Sequence, residues 1–136
     1  MPEISLAERL IVALDVPTAA EALALADKLA DHVRFFKVGL QLFLDGGFGV
    51  CDALVARGFK VMLDLKFHDI PQTVSLAMAQ LADPDIALAT VHGYPQVVEA
   101  AAKTKGRTKI LAVTVLTSLG SEELRQTGFA GNLADL

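Results

Sequence analysis

The fold of this chain is limited most by a regular alternation of short apolar segments with longer helical ones. Five segments have the length and apolar character of buried strands, and helix-forming sequence follows each of them. This alternation predicts a parallel sheet whose strands are joined by right-handed crossovers. The predicted strands are residues 10–14, 35–39, 60–65, 86–91 and 109–115.

The predicted helices begin and end at recognisable residues. Pro17 and Thr18 open an Ala/Leu-rich first helix, and Gly58 ends a second helix, 41–57, that Gly46 and Gly47 interrupt. The third helix follows Pro71, with Asp69 as a possible N-cap. The apolar face of the first helix is predicted to consist of Leu23, Ala26, Leu29, Ala30 and Val33. The remaining helices are predicted at residues 72–81, 95–105 and 121–125.

Composition predicts one domain, residues 1–136, with a substantial core. Of the 136 residues 53% are hydrophobic, which suits strands buried on both faces. A net charge of −4 gives no electrostatic reason to expect a nucleic acid or an anionic membrane as partner. The single Cys51 is expected to be a buried thiol. With no signal-peptide pattern and no membrane-spanning apolar run, we expect a cytoplasmic protein.

Two carboxylates surround one ammonium at the end of the third strand. Period-two alternation places Asp64 and Lys66 on one face of the strand, with Leu65 on the other, and Asp69 lies past the strand end. Half-buried charges are costly unless they are paired. The cluster is therefore either a structural ion pair or a reaction centre.

The choice between an open doubly wound sheet and a (β/α)-barrel depends on the strand ends. The first strand is followed by Asp15-Val16-Pro17-Thr18, where a dinucleotide fold would carry a glycine-rich phosphate loop. Polar residues fall at the carboxyl end of every predicted strand, and in a barrel those ends face one pocket. The residues concerned are Asp15, Lys37, Asp64, Lys66, His92 and Thr117.

Five segments of the chain, which begin at Leu14, Phe36, Asp64, Val91 and Val115, resemble in order the motifs of the orotidine 5′-phosphate decarboxylases, which are (β/α)-barrel enzymes. The resemblance covers nearly the whole chain. Related sugar-phosphate decarboxylases and aldolases, which often use magnesium, share the sparse Asp-x-Lys-x-x-Asp pattern but not Phe67-His68-Asp69-Ile70-Pro71. The segments that carry the resemblance are Leu14-Asp15, Phe36-Lys37-Val38-Gly39, the run from Asp64 to Thr73, Val91-His92-Gly93 and Val115-Leu116-Thr117-Ser118.

The resemblance implies conversion of orotidine 5′-monophosphate to UMP and carbon dioxide in de novo pyrimidine biosynthesis. Lys66 would be the proton donor, flanked by Asp64 and Asp69, and Lys37 would complete the charge network and touch the ribose. Asp15 would accept ribose hydroxyl hydrogen bonds, and Thr117, or the neighbouring Ser118, would face the pyrimidine edge. Further substrate contacts are implied for Leu65, Phe67, His68, Ile70, Pro71, Gln72 and Thr73.

The resemblance also implies a homodimer with a shared active site, in which the segment with Asp69 and Thr73 reaches the partner's pocket. No cofactor is expected. A metal ion held by Asp64 and Asp69 would be repelled by the Lys66 ammonium, so no metal is expected either. His68 is expected to be structural or to act through its backbone, whereas His92 is equally compatible with a structural and a catalytic role.

Chain length keeps alternatives open. A complete (β/α)8 TIM-type barrel typically has about 250 residues, so this chain is expected to be an N-terminal portion truncated to about five β/α units. The family's phosphate-binding Gly-Arg motif and closing-loop Gln have no counterpart in it. One alternative is therefore a catalytically impaired fragment that oligomerises or complements a missing piece. Another is a metal-dependent sugar-phosphate decarboxylase or aldolase.

Overall fold

A computed structural model describes residues 4–81 and 85–131. Five parallel strands form one sheet in the order β1-β2-β3-β4-β5. The strands are β1 (Ile11–Ala13), β2 (Phe35–Gly39), β3 (Lys60–Phe67), β4 (Leu88–His92) and β5 (Lys109–Val113). The helices are a 3-10 turn (Leu6–Glu8), α1 (Ala19–Leu29), α2 (Leu40–Ala56), α3 (Pro71–Ala79), α4 (Pro95–Thr104) and α5 (Ser121–Gln126).

The consecutive strand order is that of a (β/α)-barrel. A doubly wound sheet reverses its strand order at a switch point, and this sheet does not. Helix α1 packs against α2, and α3 packs against α4. The barrel-type α/β fold predicted from the sequence is therefore confirmed.

The two faces of the sheet differ in chemistry. The face packed against the helices carries alternate strand residues such as Phe36, Val61 and Leu63, which are fully buried. The opposite face carries the residues between them, including Lys37 and Asp64. Helix residues complete the core, among them Ala22, Ala26, Leu42, Val50, Leu54, Val74, Met78, Val97 and Ala101.

Several local predictions are confirmed with a physical cause. The Thr18 side chain accepts a hydrogen bond from the Glu21 N–H and caps α1. Gly47 lies in α2 with φ 53° and ψ −143°, which kinks the helix at the predicted position. Gly58, with φ 78°, follows the end of the same helix. Pro71 is the first residue of α3.

Other predictions were wrong in detail. Asp69 was predicted as a possible N-cap of α3, but Ile70 occupies that position. The Asp69 carboxylate accepts a hydrogen bond from the adjacent Ile70 N–H at 2.7 Å and caps no helical residue. Strand β3 continues two residues further than predicted, to Phe67. Strand β5 ends at Val113, two residues earlier than predicted, so Thr117 lies in the following loop.

Cys51 is buried in α2, as predicted. Burial is the main cause that raises its pKa to about 11, and the neighbouring Asp52 charge adds to it.

Within the described ranges, no helix has the length and hydropathy needed to cross a bilayer. The predicted lack of a signal peptide depends partly on residues 1–3, which lie outside those ranges.

Candidate active site

A row of four alternating charges lies at the carboxyl-terminal edge of the sheet, on the face away from the helices. The Lys37 ammonium is 3.1 Å from Asp15 Oδ1 and 3.6 Å from Asp64 Oδ2. The Lys66 ammonium is 2.9 Å from Asp64 Oδ1. The order Asp15–Lys37–Asp64–Lys66 joins the ends of three consecutive strands. We call these four residues the charge row.

Asp64 is the central group of the charge row. Its side chain is 13% exposed, and each of its oxygens faces a different ammonium. Burial by itself raises the pKa of Asp64. Hydrogen bonds from Lys66 and Thr90, with the charges of Lys66 and Lys37, outweigh that effect, so the pKa lies below its usual value. Asp64 is therefore ionised at neutral pH and balances two cations.

The backbone of β3 is irregular where it carries the charge row. Leu63 pairs with Ala89 and Phe67 pairs with Val91, so three residues of β3 oppose one residue of β4. Lys66 has φ 50°, a left-handed conformation that is uncommon outside glycine. The prediction that Asp64 and Lys66 are neighbours on one face, with Leu65 on the other, is confirmed, although the pairing of β3 with β4 is irregular at this point.

An open cavity of about 410 Å³ lies beside Asp64 and Lys66, two of the four residues of the charge row. Asp64 and Lys66 line one side of it, and the segment from Leu111 to Thr117 lines another. Thr117 therefore faces the same space as the charge row, although it lies beyond its strand. Thr90 also lines this cavity, and the sequence analysis missed it. A polar residue at an inward position of an apolar strand was the available signal.

Three aromatic rings form a second cluster beside the charge row. The His68 ring stacks on Tyr94 with 4.8 Å between centroids, and it lies 4.7 Å from the His92 ring. Desolvation, followed by the charges of His68 and Lys66, lowers the pKa of His92. Both histidines were considered from the sequence, whereas Tyr94 was not, because a contact between two strand-end loops leaves no periodic pattern.

The segment from Asp69 to Thr73 follows the charge row in sequence and forms the turn into α3. Its residues are exposed, and the Ile70 side chain is 66% exposed. In the described part of the chain, Asp69 forms no ion pair. The expectation that Asp69 flanks Lys66 is therefore not met within one chain, because Asp69 turns back to its own Ile70 N–H. Pro71, Gln72 and Thr73 form the exposed first turn of α3.

Two residues expected to contact a substrate lie on the other side of the strand. Leu65 and Phe67 pack against the hydrophobic core, and neither lines the 410 Å³ cavity. The structure therefore does not bring these side chains together with the charge row. Among residues 4–81 and 85–131, no three His, Cys, Asp or Glu side chains form a group that could hold a metal ion.

The fold and the charge row together define a class: (β/α)-barrel proteins with a lysine–carboxylate centre at the carboxyl ends of the strands. Residues 8–135 match the orotidine 5′-phosphate decarboxylase / HUMPS family. The chain belongs to this family, as the sequence motifs predicted.

Curated relatives and solved structures agree with this assignment. The chain is 48% identical over 134 residues to the orotidine 5′-phosphate decarboxylase of Methylococcus capsulatus, covering 98% of this chain and 55% of that protein. It is 47% identical over 131 residues to the enzyme of Afipia carboxidovorans, covering 95% and 56%. The crystal structure of the Lactobacillus acidophilus enzyme superposes with a TM-score of 0.85 at 35% identity, covering 93% and 62%. The chain thus spans little more than half the length of these curated relatives.

Proposed function

We propose that the chain is the strand 1–5 part of an orotidine 5′-phosphate decarboxylase and carries the residues that perform the chemistry. The observation that carries this proposal is the charge row, in which the partly buried Asp64 carboxylate pairs with two ammonium groups, one of which lines an open cavity. Such a preorganised arrangement stabilises charge that develops during a reaction. We further propose the cytoplasm as the compartment, since the single thiol is buried and unpaired.

In the proposed reaction, the bond between C6 of the pyrimidine and its carboxylate breaks, and carbon dioxide leaves. The bonding electron pair remains on C6. The Lys66 ammonium stabilises this negative charge and then donates a proton to C6, which gives UMP and a neutral amine that solvent reprotonates. The charge and the 36% exposure of Lys66 suit a group that must meet both substrate and water.

The other members of the charge row would bind and orient. Asp64 keeps Lys66 charged and directed, and it would lie near the departing carboxylate. Lys37 is held between two carboxylates and would reach the ribose. Asp15, whose side chain is 68% exposed, has room to accept hydrogen bonds from ribose hydroxyls. Thr117 would contact the pyrimidine edge from the opposite wall of the cavity.

We propose that the active chain is a homodimer with shared sites. The segment from Asp69 to Thr73 is exposed, and Asp69 bonds only to its own Ile70 N–H among the described residues, which suits a contact with a second chain. Asp69 of one protomer would then supply the second carboxylate beside Lys66 of its partner. Dimerisation would be a requirement for turnover as well as for stability.

The test is absorbance-monitored decarboxylation of orotidine 5′-monophosphate by the purified 136-residue chain without added metal. We expect turnover that falls by at least about 10³-fold in Lys66→Ala, because both the charge and the proton donor are removed. Lys60→Ala is the matched control, since Lys60 begins the same strand and pairs with Glu8 instead. Equal turnover in Lys66→Ala would contradict the proton-donor role.

A second candidate is a piece that associates without catalysing. It is favoured by the apolar residues Ile11 and Leu111, which are exposed on the two outermost strands of the described sheet. No turnover from a folded chain that self-associates would favour this candidate. Turnover that depends on added magnesium would favour the metal-dependent sugar-phosphate alternative.

A further inference from the structure

We infer that Thr90 is a positioning residue that fixes the geometry between the Lys66 ammonium and the Asp64 carboxylate. This inference rests on the proposed function for its catalytic consequence. Its structural part rests on hydrogen bonds, on the register of β3 with β4 and on the backbone of Lys66. Thr90 lies in the middle of β4, and its side chain is 3% exposed.

The position of Thr90 follows from the irregular pairing of β3 with β4. Between the register pairs Leu63–Ala89 and Phe67–Val91, β4 contributes Thr90 alone. The opposing residues of β3 include both Asp64 and Lys66. A regular ladder cannot satisfy the backbone groups of a strand that carries two extra residues. The Thr90 side chain satisfies one of these groups, the Lys66 backbone N–H.

The Thr90 hydroxyl serves both partners at once. It accepts a hydrogen bond from the Lys66 backbone N–H at 2.9 Å, and it donates one to Asp64 Oδ1 at 2.9 Å. The same carboxylate oxygen accepts from the Lys66 ammonium at 2.9 Å. The Thr90 hydroxyl thus links the Lys66 backbone to the Asp64 carboxylate, and that carboxylate binds the Lys66 ammonium.

This closed arrangement explains how the unusual backbone of Lys66 is maintained. A non-glycine residue with φ near 50° is unfavourable unless its surroundings hold it there. The bond to Thr90 fixes the peptide, and the bond from Thr90 to Asp64 fixes the anchor of the side chain. Both the backbone N–H and the ammonium of Lys66 are therefore held by hydrogen bonds, and together these bonds direct the ammonium into the cavity.

The experiment compares Thr90→Val, which keeps the β-branched shape and removes the hydroxyl, with Thr90→Ser, which keeps the hydroxyl. The first readout is the carboxyl titration of Asp64 by ¹³C NMR. Loss of a hydrogen bond to the carboxylate should raise its pKa in Thr90→Val and leave it unchanged in Thr90→Ser. The second readout is hydrogen exchange of the Lys66 amide, which should lose protection in Thr90→Val alone.

The third readout is decarboxylation of orotidine 5′-monophosphate. Because a hydrogen bond to a charged group contributes substantial free energy, its loss in Thr90→Val should lower kcat about 10-fold to 100-fold, with KM changing less. Thr90→Ser should restore most of that rate. Thr108→Val is the matched control, because Thr108 is also buried and lies away from the charge row; it should leave Asp64, Lys66 and kcat unchanged.

An unchanged Asp64 titration together with an unchanged Lys66 exchange rate in Thr90→Val would overturn the inference. If Thr90→Val does not fold, Thr90→Ala removes the same hydroxyl from a smaller side chain and is judged by the same two readouts. Absence of turnover in the unsubstituted chain would contradict the proposed function. The two NMR readouts would still decide the role of Thr90, so the two failures are distinguishable.

Discussion

The charge row and the segment that follows it, Asp69 to Thr73, differ in how their polar groups are satisfied. In the charge row each charge has an opposite charge within 3.6 Å in the same chain. In the following segment Asp69 contacts its own neighbour's N–H, and Gln72 and Thr73 are exposed. Asp64 and Lys66 lie only a few residues before Asp69 in sequence, and all three belong to the segment from Asp64 to Thr73 that carries the family resemblance.

The difference indicates that one polypeptide can assemble the lysine-centred part of the site by itself. Asp69, the carboxylate expected on the other side of Lys66, forms no ion pair in the described part of the chain. The Asp64 side chain is only 13% exposed, and a carboxylate that has lost most of its contact with water must be paired because desolvation is costly. The Asp69 side chain is exposed and has no such requirement. Exposure thus distinguishes the carboxylate that is paired within the chain from the one that is not.

The largest expected effect is recovery of activity by mixing two inactive chains. Lys66→Ala and Asp69→Ala should each have little turnover alone. If the site is shared, mixed dimers contain one intact site, so an equimolar mixture should regain roughly a quarter of the unsubstituted activity. The measurement is turnover before and after subunit exchange. A confirmed mixed dimer without recovered turnover would show that Asp69 is not supplied across the interface.

A smaller effect is expected on stability when the centre of the charge row is neutralised. The pKa of Asp64 lies below its ordinary value, so its carboxylate stabilises the fold above about pH 4. That stabilisation is lost as pH falls through the lower folded pKa. Asp64→Asn should therefore reduce the free energy of unfolding at pH 7 by about 2 kcal/mol, and the difference should shrink in acid.

Denaturant titrations at neutral and acidic pH measure this difference. The exposed Asp31 provides the control, because Asp31→Asn should change the free energy of unfolding little at either pH. An Asp64→Asn chain as stable as the unsubstituted one at pH 7 would mean that the charge row is held by its surroundings and not by its own ion pairs.

The smallest effect concerns the space beneath the charge row. A Cβ at Gly39 would lie 3.2 Å from the Lys37 ammonium and 3.6 Å from Asp15 Oδ1. Because the flexible end of Lys37 can move, Gly39→Ala should cost little stability but displace the ammonium and lower kcat/KM about threefold to tenfold. Gly49→Ala in α2, where a Cβ meets nothing within 4 Å, is the control. Equal kcat/KM in the two variants would contradict this account.

Much of the fold was predictable because its determinants are local. Apolar strands with helical sequence between them predicted the parallel sheet, and Gly47, Gly58 and Pro71 marked a kink, a helix end and a helix start. The strand limits were less accurate. Val115 continues an apolar pattern, but pairing with β4 stops at Val113, and pairing is not encoded in the pattern of one strand.

The site was predictable in its members but not in its geometry. Polar residues at strand ends indicated Asp15, Lys37 and Asp64, and all three belong to the charge row. The positive φ of Lys66 and the bulge beside it depend on the strand that pairs there, so sequence periodicity could not predict them. Thr90 resembles an ordinary β-branched core residue until its two partners are seen.

The consecutive strand order also bears on how the chain folds. Val12 pairs with Phe36, and Phe36 pairs with Val61, so these neighbours are separated by 24 and 25 residues. Each strand therefore finds its partner in the unit made immediately before it, and the loop closed at each step stays short as the chain lengthens. Once β3 has been synthesised, every charged partner of Lys37 and Asp64 is present in the chain. The ion pairs of the charge row can therefore form before β4 is complete, whereas the hydrogen bond from Thr90 to Asp64 is added only with β4.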